Sequence, residues 1–119
     1  MSSKPVRIPG PDHPITIEPT QGRVIVKQGD TVIADTTDAL TLREAKYPAV
    51  HYIPRKDANL ALLEASAHHS YCPYKGDASY LSAPGLPNAI WSYEQPYDAV
   101  AEIAGHLAFY PDRFTITVE

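Results

Sequence analysis

Apolar and polar residues alternate with a period close to two through the first half of the chain. Ile15-Thr16-Ile17-Glu18 and Arg23-Val24-Ile25-Val26-Lys27 carry the pattern on either side of a turn at Thr20-Gln21-Gly22. A period of two places successive side chains on opposite faces of a strand, one packed and one wet. Thr31-Val32-Ile33-Ala34-Asp35 follows a second turn, Gln28-Gly29-Asp30, and is predicted to pair with the preceding strand as a hairpin. Ala39 to Glu44, with Leu40 and Leu42 on one face, and Val50 to Ile53, after the break at Tyr47-Pro48, complete the strands predicted before Pro54.

Beyond Pro54 the pattern is mixed. Asp57-Ala58-Asn59 can open a helix containing Leu60, Leu63 and Glu64, while Leu60 and Leu62 also alternate like a strand; one helical turn followed by a strand is predicted. Ser79-Tyr80-Leu81 and Ala89-Ile90-Trp91-Ser92-Tyr93 read as two more strands around an Ala83 to Asn88 loop. A short helix is predicted after Pro96: Val100, Ile103 and Ala104 share a helical face, Asp98 lies in the first turn and Gly105 follows the end. His106 to Tyr110, a Pro111-Asp112 turn and Phe114 to Val118 then read as a terminal hairpin.

The predicted class is therefore mainly β: a curved, largely antiparallel sheet or partly open barrel with one short helix in the C-terminal half. Residues 1–14, punctuated by Pro5, Pro9, Pro11 and Pro14, read as an extended arm lying on the domain or hanging free. Residues 15–119 read as one β-rich domain. Repeating βα units are missing, which disfavours a Rossmann-type nucleotide domain.

Composition narrows the partners. Of 119 residues, 44% are hydrophobic and 20% charged, with ten Lys and Arg against 14 Asp and Glu. A net charge of −4 without basic clusters predicts no nucleic-acid partner, because it repels a phosphate backbone. The apolar runs fall far short of the roughly 20 residues that span a membrane. Met1 to Pro5 has no apolar stretch behind it, so no secretory signal is expected and the reducing cytoplasm is the expected compartment. A single cysteine excludes an internal disulfide. Twelve prolines leave few stretches long enough for a three-turn helix, and eight tyrosines supply rings for a wall or an interface.

The densest chemistry lies between His68 and Tyr80: His68-His69-Ser70-Tyr71-Cys72-Pro73-Tyr74-Lys75-Gly76-Asp77-Ala78-Ser79-Tyr80. Pro73 and Gly76 bracket a bend that fixes the directions of Tyr74 and Lys75 and leaves nearby N–H groups to meet an anion. Lys75 is the candidate anion anchor or, if desolvated, a basic or nucleophilic amine. Cys72 is the candidate thiolate nucleophile, with His69 and Lys75 each three residues away. His68, His69 and Cys72 make a poor metal site, since neighbours in a strand point to opposite faces; no metal or cofactor is expected.

These elements also carry a resemblance. Leu42-Arg43-Glu44, Val50-His51-Tyr52-Ile53-Pro54, Tyr71 to Tyr80, Trp91-Ser92-Tyr93-Glu94-Gln95-Pro96 and Ile103 to Tyr110 resemble the family catalogued as domain of unknown function 427, from about Gly22 onward. The resemblance implies a small, mainly β protein shaped like the β-tent of methionine sulfoxide reductase B-type domains. It also brings a nucleotidyltransferase-like label. The Gly-Ser turn and carboxylate pair that hold Mg²⁺ against a triphosphate in that chemistry have no match here, and Cys72 alone cannot build a zinc site of paired Cys-x-x-Cys elements.

If Arg43, Glu44, Tyr52, Lys75, Tyr80, Trp91 and Tyr93 meet on one concave face, they form an aromatic-walled cleft with an internal ion pair and a spare cation. Arg43 and Glu44 adjoin in a strand, so they are expected to face opposite ways. Three readings follow. The first is a small-molecule site around Lys75 for an anionic or carbonyl ligand, the second an enzyme using the Cys72 thiolate. The third is an interaction module whose tyrosine-rich strands make a homo-oligomer or partner surface.

Overall fold

The computed structural model describes residues 5–119. Its strands are β1 (Ile15–Pro19), β2 (Val24–Gln28), β3 (Thr31–Thr36), β4 (Leu40–Glu44), β5 (Val50–Tyr52), β6 (Glu64–Cys72), β7 (Gly76–Ala83), β8 (Leu86–Ser92), β9 (Ala108–Phe109) and β10 (Thr115–Val118). Among the described residues they form three antiparallel sheets, ordered β1-β4-β5, β10-β2-β3 and β6-β7-β8-β9, with no closed barrel. The alternating segments before Pro54 are all strands, and β2 and β3 form the expected hairpin.

Two apolar clusters hold the sheets together. Val24, Val26, Ile33, Ile90, Leu107, Phe109 and Phe114 pack in the first, and Leu42, Tyr52, Ala78, Tyr93, Val100 and Ile103 in the second. Burying a large aliphatic side chain contributes about 1.5–3 kcal/mol, so these clusters carry the stability that no disulfide supplies. Ile53 and Leu107 join the regions by exchanging both backbone hydrogen bonds at 2.7 Å.

Two local expectations are corrected, and the expected short helix is present in 3₁₀ form. The terminal segments do not pair with each other: β9 joins β8 through Ile90↔Phe109 and Trp91↔Ala108, whereas β10 joins β2 through Ile116↔Val26 and Val118↔Val24. The turn after Tyr110 carries the chain between sheets, and Phe114 packs edge-on against Phe109 at 5.2 Å. The helix after Pro96 is a 3₁₀ segment, Asp98–Ile103, broken at Val100, where φ is −128°. With Gly105 closing the segment, a bent backbone buries both Val100 and Ile103 completely, in a span where a regular α-helix would complete fewer than two turns. Shorter 3₁₀ turns at Arg55–Asp57 and Leu60–Leu62 flank the predicted helical turn. Finally, the Ala83 to Asn88 loop contracts to a tight connection in which Ala83 pairs Leu86 across Pro84-Gly85.

Residues 1–4 of the arm lie outside the described residues, and the part from Pro5 onward lies on the domain. Gly10 and His13 bridge to each other, the Arg7 N–H donates to the Pro73 carbonyl at 2.9 Å, and the His13 ring stacks on Tyr74 with centroids 4.0 Å apart.

Candidate functional site

Strand alternation decides which side chains can meet. In β4, Leu40, Leu42 and Glu44 share one face, and Arg43 projects to the other and is exposed. The register of β5 (Leu42↔Val50, Leu40↔Tyr52) adds Val50 and Tyr52 to the Glu44 face. On the facing sheet Tyr80 and Trp91 are direct cross-strand partners and so stand side by side. Trp91 meets Tyr52 edge-on, with centroids 6.5 Å apart at 87°, and its Nε1–H donates to the Tyr52 Oη at 3.4 Å. Tyr110 closes the far side, its ring 4.6 Å from that of Trp91.

The β6–β7 turn aims Lys75. Cys72 and Gly76 are cross-strand partners, and the Lys75 N–H donates to the Cys72 carbonyl at 3.2 Å, so it is not left for an anion. Gly76 adopts φ +107°, a region that L side chains rarely enter. The Tyr97 N–H donates to the Lys75 carbonyl at 3.0 Å and fixes the outer side of the turn. Lys75 is consequently buried, only 7% exposed. Its Nζ pairs with Glu44 Oε1 and lies 5.9 Å from the centroid of the Tyr93 ring.

Glu44 is held from two sides. Oε1 accepts from Lys75, and Oε2 lies 2.7 Å from His13 Nε2. Burial pushes its carboxyl pKa up, yet the hydrogen bonds and charge of Lys75 and His13 outweigh that and leave it below the ordinary range. Burial raises the Tyr52 and Tyr93 hydroxyls well above 10, and burial with a Tyr80 hydrogen bond raises Tyr110 to about 12. All three phenols therefore keep their protons at neutral pH.

These groups enclose a hollow of about 230 Å³, lined by Glu44, Lys75, Tyr52, Tyr80, Trp91, Tyr93, Tyr110, Tyr47, Pro48, Val50 and Leu42. Six residues singled out from the sequence come together there: Glu44, Tyr52, Lys75, Tyr80, Trp91 and Tyr93. Arg43 does not join them. Cys72 is half-buried, packs against the second apolar cluster and is not among the lining residues. The ion pair of the cleft is Lys75–Glu44, so Lys75 is no spare cation. Tyr47, Tyr110 and His13 escaped the sequence reading. Tyr47-Pro48 follows Glu44 so closely that its return into the same hollow was a usable signal, whereas the seating of His13 depends on the arm's path, which has no periodic signature.

The family model described as domain of unknown function (DUF427) matches residues 16–119. The chain belongs to that family. The matched span of this DUF427 protein contains every cleft residue, and His13 lies just before it. No curated protein matches the chain. Membership brings no activity with it, so the chemistry rests on the cleft. Glu44 is the one carboxylate among the lining residues and already binds Lys75 and His13, which leaves no carboxylate pair there for nucleotidyl transfer. Among the described residues no group of three or more His, Cys, Asp or Glu side chains is placed to hold a metal ion, and the lone Cys72 does not fit the paired-cysteine zinc site of the β-tent resemblance.

Proposed function

We propose that this DUF427 protein binds a small planar ligand bearing a neutral carbonyl or amide head, seated against Lys75 and Glu44 between aromatic walls. The observation that carries this reading is the buried Lys75–Glu44 pair at the floor of an aromatic hollow. An ammonium already neutralised by a carboxylate is a weak anchor for an anion, which would have to face Glu44 as well. It remains a good donor to a carbonyl oxygen. Glu44 offers an acceptor beside it, so a head with adjacent N–H and C=O groups satisfies both partners at once. The walls supply ring faces for stacking. The hollow lies below the ~300–1,000 Å³ that houses drug-sized ligands, which keeps the buried head small.

Three compounds with one ring and different heads test the reading: benzamide, benzoate and phenyl phosphate. Binding is followed through the emission of Trp91, the chain's single tryptophan. Benzamide is expected to bind about tenfold more tightly than either anion, a difference of about 1.4 kcal/mol. The double variant Lys75→Met/Glu44→Gln, which removes the pair without stranding either charge, is expected to lose that preference. Tighter binding of an anion, or unchanged benzamide binding by the double variant, overturns the proposal.

A further inference from the structure

Four residues of the polar cleft serve a second hollow as well. Tyr47, Pro48, Val50 and Trp91 also line a second hollow of about 450 Å³ on their far side, completed by Phe109, Pro111, Ile116 and Val118. The first hollow draws on two of the sheets, and the second adds the third. Val50 belongs to β5, Trp91 and Phe109 to β8 and β9, and Ile116 and Val118 to β10, so the second hollow lies where the three sheets converge. The separation of the terminal segments into different sheets creates this space.

Chemically the hollows are opposites. The first holds the Lys75–Glu44 pair and most of the phenols, whereas His51 is the one basic side chain lining the second. Burial, then the charge of nearby Arg43, lowers the His51 pKa and keeps its imidazole neutral at pH 7. The Tyr47 phenol is the other titratable group that lines it, and His51 Nδ1 lies 3.1 Å from Thr41 Oγ1. Val118 and Tyr47 at the mouth are 47% and 66% exposed. An apolar recess that shares a wall with a polar one accepts the remainder of a molecule whose head lies next door.

We infer that the ligand is amphipathic: its carbonyl or amide head occupies the Lys75–Glu44 cleft, and an alkyl or aryl tail passes the Trp91 and Tyr47-Pro48 wall into the Val50–Phe109–Ile116–Val118 annex. This rests on the head-group reading above and adds the class of tail. The occupant is set by adjacency, since Tyr47, Pro48, Val50 and Trp91 line both hollows and bring a tail leaving the first directly to the second. The head fixes orientation and the tail supplies affinity through apolar burial.

A series of para-alkylbenzamides, from methyl to hexyl, separates the two claims. In the wild-type chain each added methylene is expected to tighten Kd about fourfold, the equivalent of about 0.8 kcal/mol, until the annex is filled. Val118→Asp sets a charge at the annex mouth on an exposed strand position. It should leave benzamide affinity unchanged and flatten the chain-length dependence. In two-dimensional NMR spectra the methyl signals of Ile116 and Val118 should shift with hexylbenzamide and stay still with benzamide. If benzamide binds but affinity is flat with chain length in the wild type, the tail assignment is wrong and the head-group reading stands. A slope unchanged in Val118→Asp, with those methyl signals unmoved, places the tail elsewhere and also overturns it. If no member binds, the head-group reading fails and the annex assignment falls with it.

Discussion

His13 Nε2 and Glu44 Oε2 lie 2.7 Å apart, a contact across 31 residues that ties the arm to the last residue of β4 while the other carboxylate oxygen takes Lys75. One side chain thus fastens the arm, fills the floor of the cleft and neutralises its cation. The arm also shields that carboxylate, leaving the Glu44 side chain 14% exposed and that of His13 24%.

Glu44 should make stability depend on acid. Its folded-state pKa lies below the ordinary value of 4.5, so its contribution is fully present above about pH 4.5 and is lost as the pH falls through the depressed folded value. Glu44→Gln keeps the shape and strands Lys75, and is expected to cost about 2–3 kcal/mol at pH 7, somewhat less than the loss of a partner from a fully buried pair. Urea unfolding of both proteins between pH 7 and pH 3 is the measurement. The wild-type advantage should hold to about pH 4.5 and shrink below it; an advantage constant across the range would mean that the carboxylate is not stabilised by its partners.

The turn that aims Lys75 depends on Gly76. Its φ of +107° is strained for any L side chain, although an added Cβ would meet nothing nearer than the Gln95 carbonyl oxygen at 3.6 Å. Gly76→Ala should therefore cost about 1–2 kcal/mol through the backbone alone and should weaken benzamide binding by turning Lys75. Gly85→Ala is the control: φ is +70°, nothing lies within 4 Å, and Gly85 does not line the cleft. It should cost a similar amount in thermal denaturation and leave binding alone. Equal loss of binding in both variants would detach the turn from the site.

Cys72 should behave as a packing residue. It is half-buried at the end of β6, against the second apolar cluster. Iodoacetamide at pH 7 is expected to modify the native protein at least about tenfold more slowly than the urea-unfolded chain, since access limits the thiolate as much as its ionisation does. Faster reaction in the native state would restore the thiol-enzyme reading.

How much of this was legible in the sequence follows from which physical rule acted where. Period-two alternation exposed β1 to β5 and placed Arg43 opposite Glu44, even though β3 and β4 each bury two neighbouring residues, Ile33-Ala34 and Thr41-Leu42. β6 was hidden: residues 64–70 are mostly exposed, and the run His68-His69-Ser70 carries no alternation to read. The division of the terminal segments between sheets was also hidden, since Pro111-Asp112 resembles a hairpin turn and only the free edge of β2 redirects β10. Lys75 was legible as chemistry but not as geometry. Its Glu44 partner lies 31 residues away and no local pattern links them. The cleft was thus found from its aromatic residues and its turn, and its charge balance emerged only with the fold.

The arm offers the last test. His13 stacks face to face on Tyr74, with planes 5° apart, while holding Glu44 through the same ring. His13→Ala removes both contacts and should destabilise the protein by roughly 1–2 kcal/mol. Tyr74→Ala removes only the stack. A double-mutant cycle should give a coupling of about 0.5–1.5 kcal/mol between the two rings. Hydrogen exchange supplies the local readout: the Arg7 N–H, bonded to Pro73, should exchange faster in either variant if the stack holds the arm down. Unchanged protection at Arg7 together with zero coupling would mean that the backbone bonds alone seat the arm. His13 would then act on Glu44 by its hydrogen bond only, and Tyr74→Ala would leave the acid dependence of Glu44 unaltered.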